Sequence, residues 1–322
     1  MVLRSALNIL AAMNPSPPVH APVASARRPV DEVALGRVVR RLTQAPEAPW
    51  LHAEVARRMA ERLAIVKVRP AVVLDWASRL GAGRVPLQAA YAGLGGRPQI
   101  RSVEPLATAQ TQAVEASSWW SPSRWRRTPA ALAPAQVPAG SAQLVWSNMA
   151  LHADADPSVT IAQWHRALAV DGFLMFSTLG PGSLPELRSL YAAQSWGPPL
   201  APLVDMHDLG DMLVAAGFAD PVMDQELVSL SWPTADAALA ELRTLGANVD
   251  PQRYRGLRTP RWRSRLAAAL AEAGQHSPDG RVSLTFEIAY GHAFRPPARA
   301  RVTPEARLDL ADFRAMTREP RR

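Results

Sequence analysis

The stretch Ala71-Val-Val-Leu-Asp75, followed by Gly81-Ala-Gly83, decides the fold class of this chain. A short apolar run that ends on an acid is typical of a strand buried on both faces, and the glycines that follow mark a tight turn. Upstream, Leu51, Val55 and Met59 recur every four positions, which indicates an amphipathic helix. We therefore predict that a helix precedes this strand and that a turn leads from the strand into the next helix.

The same alternation continues along the chain. Further strands are predicted at 99–104, 143–148 and 173–178. Helices are predicted to begin at Asp156-Pro157 and at Asp205, where the aspartates supply N-caps. Strands that alternate with helices predict a mostly parallel sheet with helices on both faces, which is a doubly wound α/β fold.

The C-terminal part breaks this alternation. Residues 222–232 and 282–294 are predicted strands, and two helical segments separate them. In 282–294 apolar and polar residues alternate, which is the period of a strand with one polar face. We expect 282–294 to be an antiparallel edge strand, and we assign the insertion at about 233–280 to a small helical lid.

The chain has 322 residues, enough for one large α/β domain with appendages. We predict a disordered Pro/Ala-rich tail at 1–48, one domain at 49–296 and a second tail at 297–322. Cysteine is absent, which excludes disulfides and thiolate chemistry and suits a reducing compartment, so a cytoplasmic protein is expected. The apolar stretches are too short to cross a bilayer, so no membrane partner is expected.

The formal net charge is +8, and arginine carries almost all of the basicity because Lys67 is the only lysine. A basic chain favours an acidic partner, such as an acidic protein or nucleic acid. Trp119-Trp120 and Trp125-Arg-Arg127 would suit stacking on single-stranded nucleic acid. Buried or lid-forming tryptophans are the commoner outcome, so nucleic acid is not the expected partner. An arginine-rich coding bias would produce the same composition.

Four segments carry a resemblance to a known family. They are Trp164–Thr178, Gly182-Ser-Leu-Pro-Glu-Leu-Arg188, Leu242-Arg-Thr-Leu-Gly-Ala-Asn248 and Gly280-Arg-Val-Ser-Leu-Thr-Phe286. The order of elements over roughly 50–296 resembles the class I S-adenosylmethionine-dependent methyltransferases, whose seven-stranded sheet ends in an antiparallel edge strand. Taken in order, the last three segments are similar to the malonyl-acyl-carrier-protein O-methyltransferases of biotin synthesis.

The resemblance implies a cofactor, a substrate and a partner. Such enzymes use S-adenosylmethionine to methylate the free carboxylate of a malonyl thioester, so acyl carrier protein or coenzyme A would carry the substrate. A carboxylate with a reference pKa of about 4 is already ionised at neutral pH, so no general base is required. Catalysis would then consist of alignment in a dry site.

The family binds its cofactor through a glycine-rich turn after the first strand. Asp75 is the acid that ends this strand, and the expected glycines correspond to Ala77, Arg79 and Gly81, of which only the last is glycine. The Arg79 side chain would either pair with the cofactor's carboxylate or fill the pocket. Glu104 ends the second strand and matches the acid that accepts hydrogen bonds from both ribose hydroxyls. A solvated loop acid is the alternative for Glu104.

Asn148 and Arg188 are the candidate residues on the substrate side. Asn148 lies at the carboxyl end of a strand, where ligands of open α/β sheets bind, or it caps the strand end. Arg188 would hold the substrate carboxylate through two hydrogen bonds, or it is an exposed helix arginine. The family's N-terminal cap usually offers a tyrosine to the substrate, whereas the first tyrosine of this chain is Tyr91.

These departures leave two hypotheses for the function. The chain is either an active methyltransferase or a methyltransferase-fold protein that has lost catalysis and serves as a binding or regulatory partner. The seven histidines form no HxxxH or HExxH pair, so no metal site is expected.

The lid insertion contains a run of arginines without an acid at 253–265. Like charges at this density are better explained by an acidic partner surface than by pairing within the chain, and a solvated helix face is the alternative. The predicted basic patch consists of Arg253, Arg255, Arg258, Arg261, Arg263 and Arg265.

Overall fold

The computed structural model describes residues 27–105, 131–273, 275–276 and 279–297. The predicted tryptophan cluster, the first part of the N-terminal tail and nearly all of the C-terminal tail lie outside these residues. A sheet of seven strands forms the centre of the described part. The strands are β1 (Val72–Trp76), β2 (Gln99–Val103), β3 (Ala142–Ser147), β4 (Leu168–Leu179), β5 (Ala219–Trp232), β6 (Gln275–His276) and β7 (Val282–Phe294).

The strand order is β2-β1-β3-β4-β7-β5, and the short β6 also pairs with β7. Strands β2, β1, β3 and β4 pair in parallel, whereas β7 is antiparallel to β4 and to β5. The predicted doubly wound, mostly parallel fold is therefore confirmed. The predicted edge position of β7 was wrong, because β5 pairs along its outer side. The polar face of β7 does not mark an edge, since Glu287 on it accepts a hydrogen bond from the Gly182 N–H at 3.1 Å.

Helices cover both faces of the sheet. They are α1 (Glu32–Thr43), α2 (Trp50–Glu61), α3 (Ser78–Gly81), α4 (Arg84–Gly93), α5 (Pro157–Ala167), α6 (Pro185–Ala193), α7 (Met206–Ala215), α8 (Ala235–Leu245) and α9 (Pro260–Ala273). The predicted N-caps are confirmed, because the side chains of Asp156 and Asp205 accept from backbone N–H groups in the first turns of α5 and α7. None of the described helices has the length and apolar character needed to cross a membrane.

Successive residues of β4 divide the core into two layers. Phe173 and Met175 pack into the layer that contains α2, whereas Leu174 and Phe176 pack into the layer that contains α5. The alternation follows from the pleat of a strand, in which neighbouring side chains point to opposite faces. A central strand of this kind is apolar on both sides, which explains the continuous apolar run in its sequence.

The first described segment does not form the tail predicted for residues 1–48, and the prediction was wrong for 27–48. Residues 32–43 form α1, whose N-cap is Asp31. Before it, the buried Arg28 guanidinium donates to the carbonyl groups of His152 at 2.6 Å, Asp154 at 2.9 Å and Pro202 at 3.0 Å. Hydrophobic periodicity cannot register bonds of this kind, because they join side chains to backbone carbonyls far along the chain.

Candidate functional site

A cavity of about 570 Å³ opens beside the carboxyl ends of β1 and β2. Ligands of open α/β sheets bind at this edge, and the volume falls within the range of roughly 300 to 1,000 Å³ that is usual for small-ligand sites. Ala77 and Glu104 both line the cavity, so the turn after β1 faces the acid that ends β2. Helix α1 and residues 150–163 supply the opposite walls.

Ala77 turns the chain out of β1 and into α3. Its backbone is left-handed, with φ 55° and ψ 43°. An L-residue in this region costs roughly 1 to 2 kcal/mol, which glycine avoids. The backbone therefore keeps a conformation that favours glycine, although the residue at this predicted glycine position is alanine.

Gly81 and Gly83 let the turn approach the end of β3. A Cβ added at Gly81 would lie 2.8 Å from the carbonyl oxygen of Asn148, and one at Gly83 would lie 2.5 Å from Trp146 Nε1. Both distances are too short for a real Cβ contact. Gly81, which the sequence assigned to cofactor binding, does not line the cavity and has a packing role in the structure.

Asp75 lies behind the turn and is fully buried. Its Oδ2 accepts a hydrogen bond from the Ser78 hydroxyl at 2.7 Å, and its Oδ1 has no hydrogen-bond partner among the described residues. Burial raises the pKa of Asp75 to about 7. Since Asp75 does not line the cavity, its side chain fixes the turn rather than facing the space where a ligand would lie.

Glu104 is 2% exposed and lines the cavity. Its Oε1 accepts a hydrogen bond from the Arg79 backbone N–H at 2.9 Å, which ties the acid to the turn. Burial raises the pKa of Glu104 to about 7, and the neighbouring Asp75 carboxyl acts in the same direction. A buried carboxyl group at this position fits a ligand that offers hydroxyl donors.

The Arg79 side chain contacts the end of α1. Its Nε donates to the Thr43 carbonyl in the last turn of α1 at 3.0 Å, and Arg79 does not line the cavity. In this structure the side chain therefore does not fill the pocket, which was one of the two alternatives for Arg79.

Asn148 is fully buried at the end of β3. Its Nδ2 donates to the carbonyl oxygens of His52 at 2.7 Å and Gly81 at 2.5 Å, and its Oδ1 accepts from the Ser177 hydroxyl at 2.7 Å. The amide thus holds α2, β4 and the turn at residues 77–83 together. Both of its polar atoms are engaged within the protein. The turn at 77–83, to which the family resemblance assigns the cofactor, is called the cofactor turn below.

Arg188 lies in α6, and it does not line the cavity. Its Nε donates to the Ser183 carbonyl at 3.2 Å, and its Nη2 donates to the Pro181 carbonyl at 2.8 Å. In the same segment, Glu186 accepts a hydrogen bond from the Thr285 backbone N–H at 3.2 Å. The segment 182–188 is therefore folded onto β7, and the structure does not bring Arg188 together with Glu104.

Sequence reasoning missed the part that α1 plays in the site. Leu35, Gly36, Val39 and Thr43 line the cavity from this helix. The sequence does contain a signal that could have predicted this helix. Asp31 can act as an N-cap, and Leu35 and Val39 follow it at helical spacing.

Three arginines of the predicted basic patch are held within the chain, contrary to the expectation that internal pairing would not explain the run. Arg253 forms an ion pair with Asp31 at 2.7 Å, and Arg263 forms one with Asp236 at 3.2 Å. The Nη2 of Arg265 donates to Gln194 at 3.1 Å. The dense positive charge is thus partly neutralised by neighbouring elements.

The other three arginines, Arg255, Arg258 and Arg261, are exposed. None of them forms an ion pair with a residue in the part of the chain that the structure describes. Leu257 lies between the first two and is 85% exposed. Arginines 255, 258 and 261 with Leu257 form an exposed surface, called the arginine surface below.

No family model matches the chain. Three curated relatives are named malonyl-acyl-carrier-protein O-methyltransferase. The one from Laribacter hongkongensis is 38% identical over 276 residues, which cover 83% of this chain and 90% of that protein. The one from Gallionella capsiferriformans is 35% identical over 277 residues, covering 84% and 93%. The one from Halorhodospira halophila is 38% identical over 276 residues, covering 84% and 91%.

Proposed function

Because the chain belongs to the malonyl-acyl-carrier-protein O-methyltransferase family, we propose that it methylates the free carboxylate of a malonyl thioester with S-adenosylmethionine, as in biotin synthesis. The cavity of about 570 Å³ between Ala77 and Glu104 is the observation that carries the proposal. It lies where the family's cofactor turn predicts a ligand. The alternative of an inactive binding protein rested on Ala77, Arg79 and the missing early tyrosine. It is not favoured, because the curated relatives are named as methyltransferases and the Arg79 side chain does not line this space.

The residues around the cavity fit S-adenosylmethionine. Glu104 would accept hydrogen bonds from the ribose hydroxyls, and Pro105 and Leu151 supply apolar wall for the base. Ala77 also lines the cavity, so the backbone of the turn would contact the remainder of the cofactor. When bound, S-adenosylmethionine supplies an electrophilic methyl group, which passes to a carboxylate oxygen of the substrate and leaves a neutral thioether.

The chain contributes alignment and exclusion of water. The Asn148 amide fixes the cofactor turn against β3 and β4. The part of the cavity wall that this turn forms therefore has its shape before a ligand binds. Helix α1 would exclude water from one wall of the cavity, which Leu35 and Val39 line. Since the substrate carboxylate is ionised at neutral pH, no side chain has to remove a proton.

We further propose that acyl carrier protein docks on the arginine surface. Three exposed arginines around an exposed leucine match a partner with acidic groups around an apolar contact. Arg253, Arg263 and Arg265 would contribute less, because their guanidinium groups are already engaged within the chain.

A methyl-transfer assay tests the proposed function. The purified chain is incubated with S-adenosylmethionine labelled in the methyl group and with malonyl-acyl carrier protein, and label on the protein thioester is measured. Acetyl-acyl carrier protein, which lacks the free carboxylate, is the control and should gain no label. The same assay with malonyl-coenzyme A shows whether the chain accepts the malonyl group on coenzyme A as well as on acyl carrier protein. Saturable cofactor binding without transfer to either malonyl thioester would instead support the inactive binding protein.

A further inference from the structure

Arg79 makes contacts in two directions from one position in the turn. Its backbone N–H donates to Glu104 at 2.9 Å, and its side chain donates to the Thr43 carbonyl at 3.0 Å. Glu104 and Thr43 both line the cavity, whereas Arg79 itself does not line it. A single residue thus joins the acid of the site to the helix that covers the site.

The end of α1 is a suitable place for an arginine. The last carbonyls of a helix lack partners within it and carry the negative end of the helix dipole, so a cation that donates to them stabilises the helix end. The Thr43 carbonyl lies in the last turn of α1 and accepts the Arg79 hydrogen bond at 3.0 Å. A glycine in place of Arg79 could not make this contact.

Other polar contacts join α1 and its N-cap to a different part of the chain. At its start, Asp31 pairs with Arg253 at 2.7 Å. Near its end, the Arg41 guanidinium donates to the carbonyls of Arg243 and Gly246 at 2.9 and 2.8 Å. These bonds connect α1 to the predicted lid insertion at 233–280. The Arg79 side chain instead connects α1 to the cofactor turn.

We infer that Arg79 is a positioning residue that holds α1 closed over the cofactor cavity and couples this closure to the hydrogen bond between the turn and Glu104. The inference rests on the proposed binding of S-adenosylmethionine. It also gives a physical reason for arginine at a position where the family resemblance predicts glycine. The side chain takes part in covering the cofactor instead of leaving room beside it.

Hydrogen exchange and cofactor release test the inference on the full chain. In Arg79→Met, amide hydrogens of 32–43 should exchange faster in the cofactor-free protein, and S-adenosylmethionine should dissociate roughly tenfold faster, as expected for the loss of one hydrogen bond from a charged donor. In Arg79→Lys, the exchange rate and the dissociation rate should both lie between those of the unaltered chain and Arg79→Met, because an ammonium group can also donate to the Thr43 carbonyl. Arg79→Gln serves as a second neutral variant if Arg79→Met does not fold.

Arg40→Met is the matched control. It removes an exposed arginine from the last turn of α1, which contains Thr43, and leaves the hydrogen bond between Arg79 and Thr43 in place. It should leave cofactor release unchanged. The inference is overturned if Arg79→Met retains the original exchange and release rates, or if Arg40→Met changes them equally. Failure of the unaltered chain to bind S-adenosylmethionine would count against the proposed function, and the exchange rates in cofactor-free protein would still decide whether Arg79 holds α1.

Discussion

The Ser177 hydroxyl donates a 2.7 Å hydrogen bond to the side-chain oxygen of Asn148, which ties the end of β4 to the end of β3. The same amide donates to the Gly81 carbonyl in the cofactor turn at 2.5 Å. Both residues are fully buried. The geometry of the turn therefore depends on a polar cluster that lies behind it and is closed to solvent.

We expect Asn148→Ala to lower the free energy of unfolding by about 2 to 4 kcal/mol, because each buried polar group left without a partner costs roughly 1 to 3 kcal/mol. Urea unfolding measures the change. Ser177→Ala is the matched control and should cost less, since the amide donors of Asn148 keep their partners. A variant Asn148→Ala with unchanged stability and abolished methyl transfer would instead assign Asn148 to the substrate.

Cofactor affinity should increase with pH through the titration of Glu104. Burial raises the pKa of this carboxyl to about 7, and hydroxyl donors of a ribose would stabilise its ionised form. The unaltered chain should therefore bind S-adenosylmethionine more tightly at about pH 8 than at about pH 6. Calorimetry at several pH values measures this. Glu104→Gln should weaken binding by roughly 1 to 3 kcal/mol at the higher pH and flatten the dependence. The same pH slope in Glu104→Gln would exclude Glu104 as its source.

The stability of the cofactor-free chain should change with pH in the opposite sense. Burial raises the pKa values of Asp75 and Glu104 to about 7, well above the ordinary range for carboxyl groups. The folded chain therefore holds these protons more tightly than the unfolded chain does. Their contribution is fully present below about pH 4 and is lost as the pH rises through about 7. In Asp75→Asn, the loss of stability between about pH 5 and pH 8 should shrink, as measured by urea unfolding, and an undiminished loss would contradict this assignment.

Arg188→Ala should destabilise the segment that precedes α6. The change removes donors from the carbonyls of Ser183 and Pro181, so we expect a cost of about 1 to 3 kcal/mol in urea unfolding. Arg188→Lys should recover part of it. If Arg188 instead binds the substrate carboxylate, Arg188→Ala will raise KM for malonyl-acyl carrier protein without a loss of stability.

Reversal of the arginine surface should slow the encounter with acyl carrier protein. In this variant, all three arginines of the surface, Arg255, Arg258 and Arg261, are changed to Glu. Association should slow steeply at low ionic strength while S-adenosylmethionine binding stays intact, because exposed charges act mainly on the encounter rate and are screened by salt. Stopped-flow association at several salt concentrations measures this effect.

A second triple change provides the control for that experiment. Lys67, Arg69 and Arg97 are exposed near the amino ends of β1 and β2, at the edge of the sheet opposite the cavity. Changing these three residues to Glu alters the net charge equally. Equal slowing by the two triple changes would show that net charge, and not docking on the arginine surface, sets the association rate.

The sequence by itself determined the elements that depend on local patterns. The apolar run before Asp75 became β1, and Asp156 and Asp205 became helix caps, because burial of a short strand and capping of a helix involve residues close in the chain. The ordered segments around Gly182–Arg188 also sufficed to suggest the family, which the curated relatives confirm. The predicted position of Glu104 at the end of β2 likewise follows from the order of strands.

Only the tertiary structure decided how distant segments meet. The position of β7 between β4 and β5 depends on pairing between strands far apart in sequence, which no local period encodes. The direction of the Arg79 side chain depends on the carbonyl that Thr43 presents, and this in turn depends on how α1 is tied to the domain. Asn148 was predicted to serve the substrate, yet its surroundings satisfy both ends of its amide. The physical reason is the same in each case: a polar group pairs with whichever partner folding brings within reach, and that partner is set by the whole chain.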